Sequence, residues 1–219
     1  MPRPDPAQWP GLLEPAISYA LVTVQAVTPE LLPHPTPCQG WDVDMLLRHA
    51  TESLAALQEG VDAGRIGLGP GPDEEAGDPA ALFRDRAGRF LSAWTRIAQT
   101  PQTEADRAET TQAGTDRTET ARTGTDDCPE IIAIADRRLT LGLMTGVGAL
   151  EMAVHGWDLS QACGHCQPIP GPLAISLLHI SPLLIPRTGR APLFGPPVTV
   201  PPMATPSDHL VAYLGRNPG

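Results

Sequence analysis

The stretch Leu141-Gly142-Leu143-Met144-Thr145-Gly146-Val147-Gly148-Ala149-Leu150-Glu151-Met152-Ala153-Val154-His155-Gly156-Trp157-Asp158-Leu159 decides how this chain is read. Its apolar spacing predicts a long helix over about 138–163. An acid and an imidazole then stand four residues apart, on one face of that helix. Measured from Glu151 at about 100° per residue, His155 lies near +40°, Val147 near −40°, Met144 near +20° and Asp158 near −20°. Carboxylates inside an apolar stripe are rarely left unpaired. Burying one costs several kcal/mol, roughly, unless it meets a partner or a metal. Glu151 and His155, one turn apart, therefore form half of a metal site.

Working outward, a second helix is expected from Asp42, as N-cap, to about Gly60. On it His49 falls near −60° from Leu46, on the side that faces the core. A lone histidine there reads as a hydrogen-bonded core residue. Two such histidines and a glutamate leave that reading and a metal site both open. A first helix is expected over 8–28, a third over 79–100 with Phe83, Ala87, Phe90, Trp94 and Ile97 as its apolar stripe, and shorter ones over 171–185 and 207–214. Short strands are placed at most near 130–135 and 193–200. The expected fold is mainly α, a four-helix bundle with a short Pro-rich C-terminal extension. The bundle is assigned to 1–165, and 166–219 is expected to pack on it as a helix and extended tail.

Residues 103–130 differ in kind. They contain no Val, Ile, Leu, Met, Phe, Tyr or Trp, and they carry eight acidic residues against three Arg. Such a segment has nothing to bury in a core and is expected to be a solvated insertion.

Composition sets the outer limits. The chain has 219 residues, 26 Pro, 21 Gly and a formal net charge of −10. No basic face suggests nucleic acid or an anionic membrane as partner. All 15 basic residues are Arg, which excludes a lysine Schiff base. No apolar leader opens the sequence, and no apolar run is long enough to cross a bilayer. A cytoplasmic protein is expected, monomeric or homodimeric, with a small-molecule substrate.

Thr36-Pro37-Cys38-Gln39-Gly40-Trp41-Asp42-Val43, with His49 following, resembles the opening motif of the mycothiol-dependent maleylpyruvate isomerase N-terminal family. This is the actinobacterial branch of the DinB-like metal-binding bundles. Glu151-x-x-x-His155-Gly156-Trp157-Asp158-Leu159 resembles its second motif. Leu193-Phe194-Gly195-Pro196-Pro197-Val198, Asp208-His209-Leu210 and Leu214-Gly215-Arg216-Asn217-Pro218 are similar to the tail of its compact members. The resemblance implies a DinB-like bundle holding a divalent metal, usually zinc, on His49, Glu151 and His155. It implies mycothiol as a thiol cofactor, activated at the open metal position for isomerisation or S-transfer. The long insertion and the compact C-terminal part depart from the isomerases themselves. A thiol-independent lyase, cyclase or hydrolase is the alternative, and a non-catalytic metal-binding module is a third.

Four further groups carry weaker signals. Asp158 is expected to orient an imidazole or to pair with an Arg. Arg86, inside the apolar arc of the third helix, is expected either to hold a substrate carboxylate or to snorkel. Cys163-Gly164-His165-Cys166 spells an oxidoreductase motif at the wrong end of a helix, so chance or packing is the reading taken. Cys38 reads as a small buried residue.

Overall fold

In a computed structural model, residues 6–67, 77–99, 131–134, 137–185, 188, 190 and 194–219 are described. The insertion at 103–130 lies outside them, and so does Cys128.

Among the described residues, six helices carry the fold. They are α1 (Leu13–Val24), α2 (Val43–Ala63), α3 (Pro79–Gln99), α4 (Leu141–Ala162), α5 (Gly171–Leu184) and α6 (Pro206–Tyr213). A 3₁₀ turn over Pro6–Leu12 leads into α1. The first four helices close a ring: α1 packs on α4, α4 on α2, α2 on α3 and α3 back on α1. That is a four-helix bundle, as the apolar periodicity requires.

The central member is α4, buried on nearly every side as a helix without a strong polar face must be. Its start is set by Thr140, whose hydroxyl accepts from the amide of Leu143. Small residues let its neighbours come close. A Cβ built on Gly156 would meet the Ala20 backbone and the Tyr19 ring at 3.1 Å, and one on Gly146 would strike Trp9. The face of α3 delivers Phe83, Ala87, Phe90 and Trp94 to the core. The side chain of Ile97 lies outside the described residues. Full burial of each large apolar side chain stabilises the bundle by about 1.5–3 kcal/mol.

Several sequence expectations are corrected. The first helix is shorter than 8–28, since a 3₁₀ turn with Pro10 inside it opens the segment. Residues 137–140 are not the start of α4. They form strand β3 (Arg137–Thr140), antiparallel to β2 (Ile131–Ile134), and β1 (Arg65–Ile66) adds in parallel on the other side of β2. Two residues are too few for a periodicity to show β1. Among the described residues of 193–200 there is no strand, because prolines 196 and 197 interrupt the segment.

The C-terminal part folds back on the bundle. α5 rests on α4, and α6 rests on α5. A capping box of Thr205 and Asp208 starts α6. The Tyr19 hydroxyl donates to the carbonyl of Gln167 at 2.7 Å, tying α1 to the connection after α4. The Ser207 hydroxyl accepts from the amide of Ile169 at 3.0 Å. No described helix is long and apolar enough to cross a membrane.

Candidate metal centre

Asp42 begins α2 by accepting from the amide of Met45 at 2.8 Å, so the helix is phased from its first residue. Two turns later it presents His49 towards α4. Opposite stands Glu151, and the Nε2 of His49 lies 2.6 Å from its Oε1. Ser53, one turn beyond His49, donates its hydroxyl to the same oxygen at 2.7 Å. His155 follows Glu151 by one turn. The rings of His49 and His155 are 5.3 Å apart and nearly perpendicular.

One ligating atom from each of His49, Glu151 and His155 falls within 4.8 Å of the others. Two imidazoles and a carboxylate are a donor set that zinc accepts. Donors sharing one ion at tetrahedral angles are roughly 3.3 Å apart, given bonds near 2.0–2.1 Å. The His49–Glu151 pair, at 2.6 Å, is closer than that, and the other separations stay under 4.8 Å, so small side-chain shifts suffice and the three residues fit a divalent ion.

The face carrying these groups is not a uniform apolar stripe. Met144 is buried while Val147 is 44% exposed. The side chains of His49, Glu151 and His155 are 36, 27 and 12% exposed. His49 thus sits at the bundle's edge and not in its core, contrary to the helical-wheel reading. The wheel fixes a direction, but not whether a neighbouring element covers it. The consequence is a donor cluster with access from solvent.

Behind His155 lies a second layer. Its Nδ1 is 3.1 Å from Oδ2 of Asp158, which is fully buried. The contact leaves Nε2 as the imidazole's other coordinating atom. Asp158 is gripped in turn by Arg216, with Nη2 on Oδ2 at 2.9 Å and Nε on Oδ1 at 3.3 Å. Arg216 is 7% exposed. Gly215, just before it, has a φ of +86°, and a Cβ there would lie 2.8 Å from the carbonyl oxygen of Gly195. Both the turn and the close approach require glycine.

The electrostatics follow from these contacts. Burial works to raise the carboxyl of Glu151, but hydrogen bonds from His49 and Ser53 hold it below the usual carboxylate range. For Asp158 burial is likewise outweighed, by the bond from His155 and the charge of Arg216. Both acids are therefore anionic at neutral pH. Burial, with the charge of Asp158, pushes the phenol of Tyr19 upward, so it remains a neutral donor.

The loop before α2 walls the site. Thr36 accepts from the amide of Cys38 and donates to the carbonyl of Trp41, and Gly40 turns the chain with φ +83°. Trp41 is thereby set edge-on to His49, with ring centroids 4.7 Å apart, and nearly parallel to His155 at 6.2 Å. The sulfur of Cys38 comes within 4.8 Å of ligating atoms of His155 and Asp158. Its thiol is pushed up, chiefly by burial, so it is no ready nucleophile.

Of the expected site residues, His49, Glu151, His155 and Asp158 are brought together. Arg86 is half-buried on α3. The guanidinium at this site is Arg216, which the sequence reading noted only as part of a tail motif. Its partner is 58 residues away, and no local periodicity links the two. Cys163 caps the C-terminal end of α4 with its thiol raised by burial, and Cys166 is exposed. Neither joins the donor cluster.

No curated protein and no solved structure matches this chain. The sequence profile described as mycothiol maleylpyruvate isomerase N-terminal domain does match, over residues 13–160, which takes in α1 to α3, all but the last two residues of α4, and every member of the donor cluster. On that match, set beside the bundle and its paired motifs, the chain belongs to the mycothiol maleylpyruvate isomerase N-terminal domain family.

Proposed function

We propose that this protein is a metal-dependent enzyme that uses mycothiol to add a thiol to, transfer it to, or isomerise a small unsaturated substrate. One observation carries the reading: two imidazoles and a carboxylate converge within 4.8 Å at a solvent-accessible edge of a bundle of this family. In this reading His49, Glu151 and His155 hold one divalent ion, with zinc the ordinary choice for such donors. The ion, when bound, supplies the positive charge that lowers the pKa of a thiol and makes thiolate available at neutral pH.

The chain's own residues define the rest. Three protein ligands leave a position open for an exogenous group. Ser53 holds Glu151 by its Oε1, and Asp158 orients His155. Trp41 offers a flat apolar wall beside both histidines. The high-set thiols of Cys38 and Cys163 argue for a nucleophile brought in from outside the chain.

Titration of mycothiol into the cobalt-substituted protein tests the proposal. Thiolate ligation gives a sulfur-to-cobalt charge-transfer band. The band is expected in the wild type and in Cys163→Ser, and is expected to be lost in His155→Ala. No band, together with turnover of a substrate in the absence of any thiol, overturns the thiol part and leaves a thiol-independent metalloenzyme.

A further inference from the structure

Only Asn217, Pro218 and Gly219 follow Arg216 in the sequence, yet it reaches the second layer of the candidate metal centre. It is buried, and its Nε and Nη2 take both oxygens of the fully buried Asp158. Its Nη1 donates to the carbonyl of Leu214 at 3.2 Å. The guanidinium is thus anchored to its own turn while it holds the carboxylate at two points. A two-point grip fixes the plane of the carboxylate as well as its place. Oδ2, the oxygen bonded by Nη2, is also the one that faces Nδ1 of His155. The direction of the imidazole is therefore set by a relay of two contacts that begins in the C-terminal segment.

We propose that Arg216 is a positioning residue for the metal centre. Its role is to clamp Asp158 so that His155 presents Nε2 in one orientation, which makes full metal affinity depend on the docked C-terminal segment. This rests on the reading of His49, Glu151 and His155 as ligands. Arg216 touches neither of the other two ligands in any described contact, and its effect passes through His155 alone. The segment's docking has its own supports: the Gly215–Gly195 contact, the amide of Val198 on the carbonyl of Ala212, and the Tyr213 hydroxyl on the carbonyl of Ile185. These allow clamp and docking to be separated by mutation.

The experiment measures zinc affinity by chelator competition, and the visible spectrum with cobalt, in the wild type, Arg216→Met, Arg216→Lys and Tyr213→Phe. Outer-layer partners of a metal-binding histidine typically alter affinity by about 10–100-fold. A loss in that range is expected for Arg216→Met, with a shifted cobalt spectrum that reports the changed imidazole. Tyr213→Phe loosens the same segment without touching the clamp, and it is expected to keep the wild-type affinity and spectrum. If Arg216→Met does not fold, Arg216→Lys keeps the buried charge but cannot grip both oxygens, and it is expected to show a smaller loss with the same spectral shift. A folded Arg216 variant with wild-type affinity and spectrum overturns the proposal. Equal losses in Tyr213→Phe and Arg216→Met also overturn it, because the effect is then mere loosening. A wild-type protein that binds neither metal overturns the metal reading itself, a result distinct from both.

Discussion

Ser53 and His49 converge on one oxygen atom: Oε1 of Glu151 accepts the Ser53 hydroxyl at 2.7 Å and faces Nε2 of His49 at 2.6 Å. The serine therefore fixes which way the carboxylate points before any ion is bound. Removing it leaves Glu151 free to turn. Ser53→Ala is expected to cost about 1 kcal/mol of stability, the usual net value of one such bond. It is also expected to weaken zinc binding by up to about tenfold. Urea denaturation and chelator competition read the two effects. An alanine variant that binds zinc as tightly as the wild type removes Ser53 from the site.

Metal should be a structural ligand as well as a chemical one. An ion held by the proposed ligands His49, Glu151 and His155 would bridge α2 and α4 in the native state alone, and would add stability by mass action. At 100 times the dissociation constant that is about 2.7 kcal/mol. Elemental analysis is expected to give one divalent ion per chain, and a chelator is expected to lower the melting temperature. His155→Ala is expected to be insensitive to the chelator. Equal chelator sensitivity in both proteins places the ion elsewhere.

The approach of α1 to α4 is limited by Gly156, where an added Cβ meets the Ala20 backbone at 3.1 Å. Backbone cannot swing aside as a side chain does. Gly156→Val is expected to destabilise the bundle by about 1–3 kcal/mol through overpacking. The midpoint of urea unfolding checks this, and an unchanged midpoint means that α1 is not held at this distance.

Acid should loosen the protein through Asp158. Its carboxyl is held below the usual range in the folded state, against burial, by His155 and Arg216. The unfolded chain therefore binds the proton first as the pH falls. The contribution of Asp158 is complete above the ordinary carboxylate pKa near 3.9 and is lost as pH drops through the lowered folded value. Denaturation of the metal-free protein between about pH 5 and about pH 2 is expected to show a steeper loss of stability in the wild type than in Asp158→Asn. Identical slopes contradict the assignment.

How much of this was written legibly in the chain depends on distance along it. The helices were readable because periodicity is local: Phe83, Ala87, Phe90 and Trp94 repeat at helical spacing and all are buried. Glu151 and His155 were readable for the same reason, and Asp42 announced α2 as a cap. Arg216 was not, since its partner Asp158 lies on another element and an arginine in a Pro-rich tail has no phase. The 36% exposure of the His49 side chain was equally hidden, because it depends on which element fails to cover that face. Strand β1 escaped because its two residues alternate with nothing.

Glu151, His155 and Asp158 all ride on α4, whereas His49 and Ser53 ride on α2. Within α4 the spacing of its three groups is dictated by the helical pitch and cannot drift. Everything that must be adjusted is the longitudinal register of one helix against the other. A slip of α2 by a single turn, about 5.4 Å, would carry His49 and Ser53 past Glu151 together. The donor cluster is in that sense a vernier between two helices: it closes at one setting, and its closure reports that the bundle has seated correctly.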